Sequence, residues 1–121
     1  MKRVYVCGSF KFARQIQELE ARLREEGIEY TSADRSDVRG IEGCLEKIDE
    51  ADIVYVVNPE GYVGKSVSID IGYAFGRNKP VYLMCETSDP PIMDLVEGIA
   101  SFEKLIGLIK HNASTRSEKK P

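Results

Sequence analysis

The apolar positions of the chain fall into short continuous runs and into runs with helical spacing. Continuous β-branched runs predict strands at residues 3–7, 28–31, 53–57 and 80–84, with a short fifth strand within 95–100. Spacings of three and four residues predict helices at 12–26, 41–51 and 66–77, and Ser101 is a suitable N-cap for a last helix. The unbroken apolarity of 53–57 is typical of a central parallel strand that is covered on both faces.

The alternation of strands with helices predicts an α/β fold. We expect a doubly wound, Rossmann- or flavodoxin-like parallel sheet of four or five strands in three α/β/α layers. The domain should span residues 1–111, and the polar, charged stretch 112–121 is predicted to be a disordered tail. Ligands of such sheets bind beyond the carboxyl ends of the strands. This rule marks three loops, at residues 8–11, 33–40 and 58–66.

Composition narrows the classes of partner. The 121 residues fit one domain, and a net charge of −3 argues against nucleic acid and membrane surfaces, which attract basic proteins. No apolar run is long enough to span a bilayer, and the chain enters its first strand without a signal peptide pattern. Three widely spaced cysteines without a CxxC pair predict reduced thiols in the cytoplasm, with no metal site and no cofactor.

Two of the strand-end loops contain candidate ligand contacts. Gly8 and Ser9 follow the first strand, where a glycine lets the backbone approach a phosphate, although a simple tight turn explains them equally well. The run Gly64-Lys65-Ser66 looks like the end of a Walker A loop, but Pro59 stands where that loop requires glycine. Hydrolysis of a nucleoside triphosphate is therefore not expected. Binding of a phosphate or sugar oxygen remains open, as does a solvated Lys65.

Asp70 lies about one turn into the third predicted helix, between two isoleucines. A carboxylate near a helix start is often only a partner of the helix dipole. Its place beside a glycine-bearing loop also suits a catalytic group. An aspartate with an ordinary pKa of about 3.9 is ionised at pH 7 and needs no activating base.

Several segments together resemble the nucleoside 2-deoxyribosyltransferase family, which includes the 2′-deoxynucleoside 5′-phosphate N-hydrolases. They are residues 4–9, 51–57, 64–66, 70–74 and 79–81, and the resemblance extends over roughly residues 4–110. Its most specific part is the run Asp-Ile-Gly-Tyr-Ala at 70–74. The resemblance implies cleavage of the bond between a nucleobase and C1′ of a 2′-deoxynucleoside or its 5′-monophosphate. It also implies a homodimer or higher homo-oligomer, in which the neighbouring subunit contributes residues from the region matching 88–94.

The resemblance also implies roles for individual residues. Asp70 matches the nucleophile, which is normally glutamate in the family, and Tyr5 matches the tyrosine that orients it. The substrate-binding positions correspond to Gly8, Ser9, Phe10, Gly64, Ser66 and Asp37. Cys44 stands where the family has a second acid, so a proton donor would have to be Asp37, Glu46 or Asp49. The aspartate in place of glutamate at position 70 and Cys44 in place of the second acid favour an alternative. This alternative is a catalytically weak or silent nucleotide-binding module on the same fold.

Overall fold

The computed structural model describes residues 2–34 and 36–115, with side chains as far as His111. The strands are β1 (Arg3–Cys7), β2 (Glu29–Ser32), β3 (Ile53–Val56), β4 (Val81–Leu83) and β5 (Gly98–Ile99). The helices are α1 (Ala13–Glu25), α2 (Ile41–Glu50), α3 (Lys65–Gly76), α4 (Pro90–Leu95) and α5 (Phe102–Thr115). Short 3-10 turns at Phe10–Phe12 and Pro59–Gly61 follow β1 and β3.

The five strands form one parallel sheet in the order β2-β1-β3-β4-β5. This is the flavodoxin-like order of doubly wound proteins. The chain moves outward from β1 to β2 and then returns to the other side of β1, so the direction of winding reverses between β1 and β3. A crevice forms beyond the carboxyl ends of strands at such a reversal. The predicted fold class is confirmed, and the topology places the ligand crevice next to Cys7 and Val56.

Each face of the sheet has its own apolar core, because successive side chains of a strand point to opposite faces. Val4, Val6 and Tyr55 pack with α1 and α5 on one face. Tyr5 and Val54 lie on the other face, in the cluster that also takes in apolar residues of α2 and α3. Burial on both faces explains why β3 is apolar at every position. Tyr5 is therefore placed, fully buried, on the same side of the sheet as α3.

The structure differs from the expected elements near the carboxyl end. Residues 89–91, expected to form only a turn, open helix α4, because Asp89 is its N-cap and Pro90 and Pro91 occupy its first turn. The fifth strand is shorter than expected, and α5 continues to Thr115 instead of ending at His111. The rest of the expected tail, 116–121, lies outside the described residues. None of the helices described is both long enough and apolar enough to cross a membrane.

Candidate active site

A cleft of about 740 Å³ opens beyond the carboxyl ends of the strands. Its walls come from the loop after β1, from Ala33 and Asp34 after β2, and from the first turn of α2. Residues 62 and 64–67 and the side chain of Asp70 complete it. All three loops that the sequence marked therefore contribute to one cavity, at the winding reversal between β1 and β3.

Two glycines allow the loops around this cleft to pack closely. A Cβ on Gly8 would lie 2.6 Å from the carbonyl oxygen of Val57, so only glycine lets the loop after β1 meet the end of β3. Gly61 has a φ of +84°, and a Cβ there would lie 2.5 Å from the carbonyl oxygen of Glu86. The loop after β3 is thereby held against the chain that follows β4.

Asp70 is the buried carboxylate of the cleft. The buried face of α3 consists of Val67, Asp70, Ile71 and Ala74, and Asp70 is only 4% exposed. Burial raises the pKa of Asp70 to about 7, and the nearby Tyr5 hydroxyl opposes this rise. The expectation of an ordinary, fully ionised aspartate at pH 7 is therefore wrong. The spacing of residues 67, 70, 71 and 74 already places this carboxylate at a core position, which is the signal that identifies it in the sequence.

Tyr5 lies behind the wall of the cleft and is fully buried. Burial raises the pKa of its hydroxyl far above the usual value, helped by the neighbouring Cys7, Asp70 and Cys44, so that the hydroxyl stays protonated. Neither this hydroxyl nor Oδ1 of Asp70 completes a hydrogen bond of ordinary geometry within the described residues. Two buried polar atoms close to each other are thus left with unused bonding capacity, which is costly in an apolar surrounding.

The other acidic candidates are engaged elsewhere. Asp37 does not line the cleft. Its carboxylate pairs with Arg39, with Oδ2 at 3.0 Å from Nη2. Glu46 is also bound by Arg39. Asp49 accepts a hydrogen bond of 2.9 Å from the Tyr73 hydroxyl. All three therefore have partners other than Asp70, and none of them lines the cleft.

Asp34 lines the cleft instead of Asp37. Its Oδ1 accepts hydrogen bonds from the Ser36 hydroxyl at 2.7 Å and the Ser36 amide at 2.9 Å. These bonds lower the pKa of Asp34, so that it is an ionised acceptor at neutral pH. The residue pattern did not single out Asp34, because it lies in a polar loop whose path the sequence leaves undetermined.

Positive charge and the amides of a helix N-terminus also line the cleft. Lys65 and Ser66 form the first turn of α3, whose N-cap, Gly64, has no side chain to cap the helix. Lys11 also lines the cleft, and its Nζ lies 3.6 Å from the centre of the Tyr62 ring. A helix N-terminus with neighbouring lysines favours anions such as phosphate. In the described part of the chain, no three His, Cys, Asp or Glu side chains are grouped to hold a metal ion.

Gly8, Ser9, Phe10, Gly64, Ser66 and Asp70 are the predicted site residues that line the cleft. Tyr5 lies close to Asp70 without lining the cleft, and Asp37 is outside the cleft. Lys11, Asp34 and Tyr62 line the cleft without having been predicted to contact a substrate. Their positions follow from the way the three loops converge.

Comparison with known proteins identifies the fold. No protein-family model matches the chain, and no curated protein matches it significantly. A conserved protein from Enterococcus faecalis V583 superimposes with a TM-score of 0.73 at 16% identity, over 93% of this chain and 99% of that one. For the 2-deoxyribosyltransferase from Bacillus psychrosaccharolyticus the TM-score is 0.69 at 18% identity, over 86% and 90%. For the CMP N-glycosidase from Clostridium botulinum it is 0.58 at 17% identity, over 90% and 98%.

These matches establish a class of architecture. The chain has the five-stranded α/β fold of 2-deoxyribosyltransferase-like proteins, as its sequence motifs suggested. At such low identity the shared property is the fold, and what the chain does has to be argued from its own cleft.

Proposed function

We propose that this protein cleaves the N-glycosidic bond of a 2′-deoxynucleoside or of its 5′-monophosphate. The observation that carries the proposal is the buried Asp70, whose Oδ1 has no partner in the described residues and which lines the cleft at the winding reversal. Structures named as a 2-deoxyribosyltransferase and a CMP N-glycosidase share this fold. A buried carboxylate facing a cleft suits the nucleophile of a retaining glycosidic reaction.

In the proposed reaction the ionised Asp70 attacks C1′ of the sugar. The C1′–N bond breaks, its electron pair leaves with the base, and an ester forms between C1′ and Asp70. Water then attacks C1′, the bond between C1′ and the Asp70 oxygen breaks, and the sugar leaves as the carboxylate is regenerated. The proton that the water loses to solvent balances the proton that the departed base takes up. In the transferase variant, a second base attacks C1′ instead of water. The Tyr5 hydroxyl remains protonated and lies close to Asp70, and in the proposed reaction it donates a hydrogen bond that the structure leaves incomplete and so orients the carboxylate.

We assign the binding of the substrate to the two loops that flank Asp70. Gly8, Ser9 and Phe10 contact it from the loop after β1, and Gly64 and Ser66 from the start of α3. The first turn of α3 and Lys65 receive the 5′-phosphate when one is present, because their amides and charge favour an anion. Asp37 is not among the proposed contacts, because its carboxylate is paired with Arg39.

The test is release of free base. The purified protein is incubated with each of the four common deoxynucleosides and with their 5′-monophosphates, and the products are separated by chromatography. Asp70→Asn keeps the shape of the side chain but removes the nucleophile, so base release should fall at least a hundredfold. Asp70→Glu is a second variant that keeps the charge and lengthens the reach by about 1.5 Å. Equal base release by the wild type and Asp70→Asn would contradict the proposal.

One observation favours the alternative of a nucleotide-binding module without turnover. The carboxyl side chains of the described cleft are Asp34, which is held ionised, and Asp70, which serves as nucleophile, so no separate carboxylic acid protonates the leaving base. A binding module would show an increased melting temperature with a deoxynucleotide and no base release.

We further propose that the protein is a cytoplasmic homodimer or a higher homo-oligomer. The outward face of α3 carries Ile69 and Phe75, which are both 53% exposed. Covering such side chains favours association. Ile69→Glu should shift the protein toward the monomer in light scattering coupled to gel filtration. The cytoplasmic location rests on the three free cysteines, Cys7, Cys44 and Cys85, which suit a reducing compartment.

A further inference from the structure

The wall of the cleft carries a thiol that the proposed reaction does not use. Cys44 lies in the first turns of α2, is half-buried, and lines the cleft together with Asp70. A single cysteine indicates little by itself. The same wall, however, contains the 4% exposed Asp70, whose Oδ1 has no hydrogen-bond partner in the described chain. That carboxylate points independently to a ligand at this part of the cleft.

The other two cysteines are placed differently. Cys7 is buried within the sheet, and burial raises the pKa of its thiol well above the usual value, which suppresses the reactive thiolate. Cys85 is half-buried, but it does not line the cleft, and its backbone is tied to Asn58. Cys44 alone among the three combines partial exposure with a position on the cleft wall.

We propose that Cys44 is a site of reversible modification by low-molecular-weight disulfides, and that the resulting adduct closes the ligand cleft. The Cys44 thiol loses its proton to solvent and attacks one sulfur of the disulfide. A new S–S bond forms, the original S–S bond breaks, and the leaving thiolate takes up a proton. Excess thiol reverses the exchange. The inference rests on the cleft as the ligand site, and not on the chemistry assigned to Asp70.

Cys44 lines the cleft and otherwise packs against the apolar core and the buried Tyr5, so an adduct on Cys44 has room only on the cleft side. A glutathione moiety on this sulfur would fill the space beside Asp70 where the proposed substrate binds. Modification and ligand binding should therefore exclude each other, and the effect should disappear on reduction.

The first experiment uses glutathione disulfide as the modifying agent and 2′-deoxycytidine 5′-monophosphate as the competing ligand. Modified peptides are quantified by mass spectrometry over time in the native protein. We expect an adduct on Cys44 that forms at least tenfold more slowly with the nucleotide at millimolar concentration. A Cys44 that reacts only after denaturation, or that reacts at the same rate with and without the nucleotide, would overturn the proposal.

The second experiment compares variants, each against its own untreated activity and nucleotide-induced rise in melting temperature. In the wild type and in the matched control Cys85→Ser, treatment should lower the activity at least tenfold and abolish the nucleotide-induced rise in melting temperature. Both should recover with dithiothreitol. Cys44→Ser should show no loss. An equal loss in Cys44→Ser refutes the assignment. Absence of base release in the untreated wild type would refute the proposed reaction and not the modification of Cys44. In that case, the protection of Cys44 by the nucleotide still tests whether Cys44 is modified within the ligand cleft.

Discussion

The side chain of Asn58 forms two hydrogen bonds with the backbone of Cys85. Its Nδ2 donates to the Cys85 carbonyl oxygen at 2.8 Å, and its Oδ1 accepts from the Cys85 amide at 2.9 Å. Asn58 is completely buried. The pair joins the chain after β3 to the chain after β4, and it determines where the loop leading to Gly64 begins.

Replacement of Asn58 by alanine should therefore destabilise the fold. The change leaves an amide and a carbonyl of Cys85 buried without partners, which costs about 2–4 kcal/mol. Asn58→Asp places an ionised carboxylate oxygen against the Cys85 carbonyl oxygen in a fully buried position, so it should cost more than Asn58→Ala at neutral pH. Urea unfolding followed by circular dichroism measures both. A change below about 0.5 kcal/mol for Asn58→Ala would show that the pair carries no stability.

Asp70 should lower the stability of the protein as the pH rises. Its pKa is about 7 in the folded state and about 3.9 in an unfolded chain, so the folded state binds the proton more tightly. The associated stabilisation is complete below about pH 4 and is lost as the pH rises through 7, with a total of roughly 4 kcal/mol.

Asp70→Asn should remove this pH dependence, and the variant should be more stable than the wild type at about pH 8. The free energies of unfolding of both proteins, measured from about pH 4 to about pH 8, give the difference directly. A constant difference over this range would mean that Asp70 has an ordinary pKa. The same variant should lose base release, so that the substitution raises stability at about pH 8 and abolishes activity.

Base release should rise with pH along a limb centred near pH 7, because only the ionised Asp70 attacks C1′. The Tyr5 hydroxyl lowers the pKa of Asp70. Tyr5→Phe should therefore move this limb to higher pH and reduce the maximal rate. Initial rates of base release from about pH 5 to about pH 9 test this shift. An unchanged pH limb in Tyr5→Phe would show that the Tyr5 hydroxyl does not influence the pKa of Asp70.

Gly8→Ala should disturb both stability and the cleft. The added Cβ would lie 2.6 Å from the Val57 carbonyl oxygen, so β1 and β3 have to separate at the winding reversal. We expect a cost of about 1–3 kcal/mol and at least a tenfold weaker binding of nucleotide. Gly72→Ala is the matched control, since a Cβ on that α3 residue meets no other atom within 4 Å. It should leave the fold unchanged or stabilise it slightly.

The sequence by itself determined the main elements and the place of the cleft. Apolar runs and helical spacings are local properties, and they identified all five strands and the helices α1, α2, α3 and α5. The strand-end rule then led to Gly8, Ser9, Gly64 and Ser66, which all line the cleft. The weak, proline-rich opening of α4 escaped prediction because Pro90 and Pro91 are equally common in turns.

The tertiary structure decided which side chains face one another and how far each is desolvated. Asp37 and Asp34 are three residues apart in a polar loop, yet Arg39 engages one of them and the cleft includes the other. The pKa of Asp70 is raised because apolar residues distant in sequence pack against α3 and exclude water from it. Such desolvation is the sum of contacts over the whole fold, and no local pattern of residues contains it.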